Sequence, residues 1–183
     1  MISNAVTSLR IVLLAPFCVL LLTGARWWAL AVFLAAGLTG ILDGFLARRL
    51  GEASAFGAML DLISDRLLTV VTLGALVVAG TLTGWGAVAA LVLVLRDLIV
   101  ASLNEALPGR LGIRVSTLER VKITTHFLAA GLLIAPEFWH PAAGMSQYGV
   151  GAILLAVAAL LALVTVADYW ARALRVFTTA GIR

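Results

Sequence analysis

Residues 41–65 read ILDGFLARRLGEASAFGAMLDLISD, and the meaning of this stretch decides how the whole chain is read. It sets Asp43, Asp61 and Asp65 among residues that are otherwise largely apolar. A carboxylate in hydrocarbon is costly, and where one occurs it usually marks function. The surroundings extend the same way over 183 residues, of which 63% are hydrophobic and 12% charged, with mean hydropathy +1.12. A soluble domain carries roughly a quarter charged residues. There is too little polar surface here to cover a water-exposed globule, so the composition implies an integral membrane protein.

Working outward from that stretch, six apolar segments are each long enough to cross a bilayer: 8–24, 27–49, 56–80, 84–106, 118–136 and 146–171. The predicted fold class is all-α, a single six-helix transmembrane domain over 1–183. Short punctuated turns join the helices, at Gly24, Gly51 to Ser54, Gly80 to Gly84, Pro108-Gly109 and Pro136 to Gly144. Arg48, Arg49, Arg110, Arg114, Arg120 and Lys122 load two connections, the tail adds Arg172, Arg175 and Arg183, and the opposite side has only Arg26. The positive-inside rule then puts both termini and the basic loops in the cytoplasm. Trp27, Trp28, Trp85, Trp139 and Trp170 fall near helix ends, as an aromatic belt requires.

The net charge of +4 and pI near 10.2 fit topology and anionic headgroups, and nucleic acid is not expected as a partner. Cys18 is the only cysteine, which excludes an intramolecular disulfide and a cysteine-based metal site. The opening MISNAVTSLR runs straight into apolar sequence without a small-residue cleavage site, so a retained first helix is expected.

With this topology the three acids gather in one shallow, cytoplasm-facing layer. Asp43 lies near the end of helix 2, Asp61 and Asp65 near the start of helix 3, and the short turn makes those helices antiparallel neighbours. Asp61 and Asp65 are four apart and share a face, with Gly57 one turn earlier. Converging carboxylates repel unless a cation sits between them. Two cations would serve. Arg48, Arg49 or Arg66 would make a structural ion-pair cluster, and Ala36, Gly40 and Gly44 would then be a helix-packing ladder. A hard divalent ion, Mg²⁺ or Mn²⁺, would suit oxygen-only ligation.

The spacing favours the second. Written out, the stretch is D-G-x-x-A-R, eight residues, then G-x-x-x-D-x-x-x-D: Asp43, Gly44, Ala47, Arg48, Gly57, Asp61 and Asp65. Seven specified residues at fixed offsets on two helices make a far more specific pattern than a lone glycine motif. This resembles the signature of the CDP-alcohol phosphotransferase (CDP-alcohol phosphatidyltransferase) family, integral membrane enzymes with six transmembrane helices, and the likeness covers essentially the whole chain.

That resemblance implies transfer of a phosphatidyl or related group from a CDP-linked donor to an alcohol, with release of CMP. By position, Asp43 and Asp61 would ligate the metal that bridges the donor diphosphate. Asp65 would be the general base for the acceptor hydroxyl and would also touch a metal. Gly44, Ala47 and Gly57 would leave room for cytidine and diphosphate, and Arg48 would meet phosphate. The physical logic stands beside the family name, since a divalent ion neutralises diphosphate and stabilises leaving CMP. CDP-diacylglycerol, a small polar alcohol and membrane lipids are the expected partners, a homodimer the expected assembly, and a bacterial cytoplasmic membrane the expected location.

Softer patterns concern the acceptor. Asn4 to Arg10, N-A-V-T-S-L-R, is similar to the N-x-L-T-x-x-R start of bacterial phosphatidylglycerophosphate synthases. Arg96 to Glu105 and Val115 to His126 resemble two further segments of that group, which points to glycerol 3-phosphate. Such an anion needs cations, and the candidates are Arg96, Arg120 and Lys122, with Arg110 and Arg114 nearby in sequence. Against this, Phe56 to Arg66 looks more like the matching segment of phosphatidylinositol synthases, and Asn104 and His126 stand where arginine and glutamine are common.

One position departs from the signature, which begins D-x-x-D-G: Gly40 stands where its first aspartate would be. One carboxylate ligand is missing, and a second metal would be held poorly. Three hypotheses follow. The chain is an active phosphatidyltransferase with a depleted metal site, or an impaired relative that binds CDP-diacylglycerol or partners an active enzyme. The third, a small transporter with an ion-paired acidic layer, would be metal-independent and bind no cytidine nucleotide.

Overall fold

The structure, a computed structural model, describes residues 2–50, 55–106, 117–138 and 146–179, with backbone alone for 2–6, 41–50, 55–56 and a few single positions. Arg110, Arg114, Arg183 and the turns at 51–54, 108–109 and 139–144 lie outside the described residues. Those described form six α-helices and no strand: α1 Ile2–Leu22, α2 Arg26–Leu50, α3 Ala55–Val78, α4 Gly84–Ala106, α5 Thr117–Ile134 and α6 Gln147–Thr179. The chain is all-α as expected. Its helices match the six apolar segments, except that α6 continues well past residue 171. There the sequence stops being uniformly apolar but stays helical. Asp168 and Arg172 pair at 2.6 Å one turn apart, and Leu103 and Val176 pack on buried Ala173.

Among the described residues, two helices are long and apolar enough to cross a membrane, at Gly84–Leu103 and Gln147–Val176, with mean hydropathies of 2.1 and 2.8. Only 28% and 33% of those spans is buried within the protein, so their apolar side chains face outward. Leu91, Leu95, Leu160 and Val164 are among the exposed ones. Core helices of a soluble protein would be mostly covered, whereas lipid is a good solvent for such a surface.

The chain divides into two compact units, residues 1–82 with 130–148, and residues 83–129 with 149–183. In the first, α1 packs along both α2 and α3, while α2 and α3 touch each other only slightly among the described residues. The described residues of α2 and α3 do touch, and α1 lies along both helices. Its buried stripe is Thr7, Arg10, Leu14, Phe17 and Leu21, a three-four spacing that keeps one face inward. On α2 the matching face is Ala29, Phe33 and Ala36, followed by Gly40. Phe17 meets Phe33 with ring centroids 6.2 Å apart, and Arg10 meets Gly40. Contacts therefore descend α2 as they climb α1, and the two helices are antiparallel.

At the other end of this unit, polar groups close the helix termini. Arg26 donates to the Leu133 carbonyl at 3.0 Å and to Thr81 Oγ1 at 2.7 Å, and lies over the Tyr148 ring. Fully buried Gln147 donates to the carbonyls of Leu132 and Pro136 at 3.0 and 3.2 Å. These satisfy carbonyls that the end of α5 leaves without intrahelical partners.

Gly24 (φ +81°) and Gly80 (φ +69°) end α1 and α3 in the left-handed conformation. Ala25 N bonds Leu20 O and Gly24 N bonds Leu21 O, and Thr81 and Gly80 repeat the pattern on Leu76 and Val77. Both are Schellman closures. Gly24→Val is expected to lower stability by about 1–2 kcal/mol through backbone strain alone, since no atom crowds the added Cβ. Gly74→Ala, in open space inside α3, is expected to raise it by up to about 1 kcal/mol. Thermal unfolding in detergent measures both.

Candidate active site

The acidic stretch acquires its cation from outside itself. Arg10, on the inward stripe of α1, is 1% exposed. Its Nη1 donates to Ser64 Oγ at 2.9 Å, to Asp61 Oδ1 at 3.5 Å and to Asp65 Oδ1. Ser64 in turn donates to the Asp61 carbonyl at 2.9 Å, which locks its hydroxyl as an acceptor toward Arg10. Asp61 and Asp65 stand one turn apart on α3, so a planar guanidinium spans both. One positive charge faces two negative ones in this trio.

Exposure differs across that contact. The arginine is sealed, whereas the Asp61 and Asp65 side chains are 48% and 66% exposed. A buried cation needs a partner more than half-solvated acids do. The carboxylates thus hold the arginine in place and still present a face to an incoming ligand.

Asp43 follows Gly40 by three residues on α2, about 4.5 Å along the helix axis. Gly44, Ala47 and Arg48 continue the same helix, and the side chains of these four lie outside those described. Gly57 lies in the first turn of α3. The structure thus brings Asp61 and Asp65 together and adds Arg10 and Ser64, to which the sequence reading gave no role. The signal for Arg10 was available: a charge on an otherwise apolar helix, at a position of its inward stripe.

In the second unit Arg96 and Lys122 are both buried, and both reach Asp97 Oδ1, at 2.9 and 3.4 Å. Arg96 also donates to Thr165 Oγ1 at 3.0 Å and lies over the Tyr169 ring, which ties α4 to α6. His126 falls one turn after Lys122 on α5, and its Nδ1 is buried without a hydrogen bond. Arg120, two residues before Lys122 and thus about 200° round the helix, is exposed and apart from this cluster. Among the described residues, two buried cations thus share the Asp97 carboxylate.

A profile of the CDP-alcohol phosphatidyltransferase family matches residues 1–164, most of the chain. The chain belongs to this family. Its relatives include the CDP-diacylglycerol--glycerol-3-phosphate 3-phosphatidyltransferase of Escherichia coli K12, 33% identical over 161 residues, covering 84% of this chain and 87% of that protein. The Shigella sonnei protein of the same name has the same identity and coverage, and that of Salmonella paratyphi A is 31% identical over 160 residues. CDP-alcohol phosphatidyltransferases are enzymes of phospholipid biosynthesis and generally depend on a divalent metal.

Among the described residues, no group of three or more His, Cys, Asp or Glu side chains gathers as a metal site. Asp61 and Asp65 offer two carboxylates with exposed faces, all-oxygen donors that suit a hard ion. They fit one divalent ion beside Arg10.

Asp97→Asn is expected to cost about 3 kcal/mol, because it removes the carboxylate that buried Arg96 and Lys122 both reach. Chemical denaturation in detergent checks this, and a change under about 0.5 kcal/mol would show that other groups carry the charge.

Proposed function

We propose that this chain transfers the phosphatidyl group of CDP-diacylglycerol to glycerol 3-phosphate and releases CMP. The reaction takes place at the cytoplasmic face of a bacterial inner membrane, which the chain crosses six times with both termini inside, as a homodimer. The observation that carries the chemistry is the half-exposed Asp61 and Asp65 pair fixed by Arg10. The choice of acceptor rests on the glycerol 3-phosphate activity for which the relatives are named and on the buried Arg96 and Lys122.

In this reading Asp43, Asp61 and Asp65 hold one Mg²⁺ or Mn²⁺, which neutralises the donor diphosphate when bound. Gly44, Ala47 and Gly57 leave space for cytidine and diphosphate, and Arg48 meets phosphate. Arg10 fixes the Asp65 carboxylate through Oδ1, so that its orientation is set before substrate arrives. Asp65 takes the proton of the acceptor hydroxyl as that oxygen bonds to the phosphatidyl phosphorus. The phosphorus–oxygen bond to CMP breaks, and CMP leaves with the electron pair. Arg96 and Lys122 bind the acceptor's phosphate, and Arg120, on another face of α5, takes no part.

A second reading, an impaired relative that binds CDP-diacylglycerol without turnover, is favoured by Gly40. The deciding experiment measures CMP release in detergent with Mg²⁺ or Mn²⁺, offering glycerol 3-phosphate, inositol, inositol phosphate and serine separately. Turnover with glycerol 3-phosphate, lost at least 100-fold in Asp65→Asn, is the expected result. Preference for inositol or its phosphate would move the chain to the phosphatidylinositol type. No turnover with any acceptor, restored by Gly40→Asp, would establish the impaired relative. Lys122→Met is expected to raise KM for glycerol 3-phosphate about tenfold or more, with a smaller effect on kcat.

A further inference from the structure

Arg10 and position 40 exclude one another. A Cβ built on Gly40 would lie 2.9 Å from Arg10 Cζ and 3.2 Å from Nη1, with Nη2 nearer still. The guanidinium therefore fills the space that any side chain at position 40 would enter. It reaches there from an inward stripe of α1 whose later members are Leu14, Phe17 and Leu21, so its burial is set by helix packing. Nothing in that apolar stripe stabilises a charge. Asp61, Asp65 and Ser64 do.

We propose that Arg10 is a resident cation of the acidic centre, seated in the notch at Gly40 in place of a divalent ion. The inference rests on the metal-dependent reading above and concerns how many ions that centre takes. A guanidinium and a divalent ion compete for the same oxygens, here Oδ1 of Asp61 and Oδ1 of Asp65. The guanidinium is tethered by its chain, delivers a fixed single charge and cannot be chelated away. With Arg10 in place, one positive charge already offsets part of what Asp61 and Asp65 offer, which favours one divalent ion over two. Withdrawing Arg10's charge and placing a carboxylate at position 40 turns the notch from cationic to anionic. The guanidinium is the far end of a flexible side chain, so that exchange disturbs no backbone.

The test counts Mn²⁺ bound per chain by electron paramagnetic resonance in detergent, for wild type and for Arg10→Gln/Gly40→Asp. The double variant is expected to bind one more Mn²⁺ than wild type. Equal numbers, with wild type binding Mn²⁺, would overturn the resident cation and leave the metal-dependent enzyme standing. No Mn²⁺ on either protein would overturn both. If the double variant does not elute as a single species, Arg10→Gln decides by thermal unfolding. Its Tm is expected to rise with saturating Mn²⁺ by several degrees more than that of wild type, and an equal rise would overturn the proposal.

Discussion

A buried arginine that must be neutralised organises the acidic centre. Arg10 lies on a face of α1 that is closed to water, and α3 brings Asp61, Asp65 and Ser64 against its charge. That requirement fixes the register of α3 on α1. The guanidinium also lies against Gly40 of α2 in the same layer, where an added Cβ would make it shift. One side chain thus sets three helices. The apolar contacts beyond it, Phe17 on Phe33 among them, supply area without specifying which turn faces which.

The same contact leaves the acids usable. Had Asp61 and Asp65 been buried as deeply as Arg10, desolvation would have made the cluster a structural ion pair. Their exposed faces separate the two jobs, one side neutralising the arginine and the other open to ligand. In the second unit Asp97 works in the opposite sense. It is a carboxylate between two buried cations, and it keeps Arg96 and Lys122 close together.

Much of this was legible in the sequence. Helix existence followed from apolar segment length, and the pairing of Asp61 with Asp65 followed from a spacing of four. The burial of Arg96 and Lys122 fitted their place in apolar helices, while exposed Arg120 shows that proximity in sequence is not proximity on a helix face. The source of the counter-cation was not legible in the acidic stretch. Arg48, Arg49 and Arg66 were the near candidates, and the partner found lies 51 and 55 positions away from the two acids. Only the packing of α1 on α3 makes it local. The extension of α6 was missed for a related reason: hydropathy reports the length of an apolar run, and a helix can outlast it. Gly40 was read as a lost ligand; the structure shows what the glycine admits.

The most direct measurement is a double-mutant cycle between Arg10→Gln and Asp65→Asn, read as unfolding free energy in detergent without divalent ions. If Arg10 and the α3 carboxylates organise this layer as one unit, the two substitutions couple by about 1–3 kcal/mol. Additive effects, within about 0.5 kcal/mol, would contradict it.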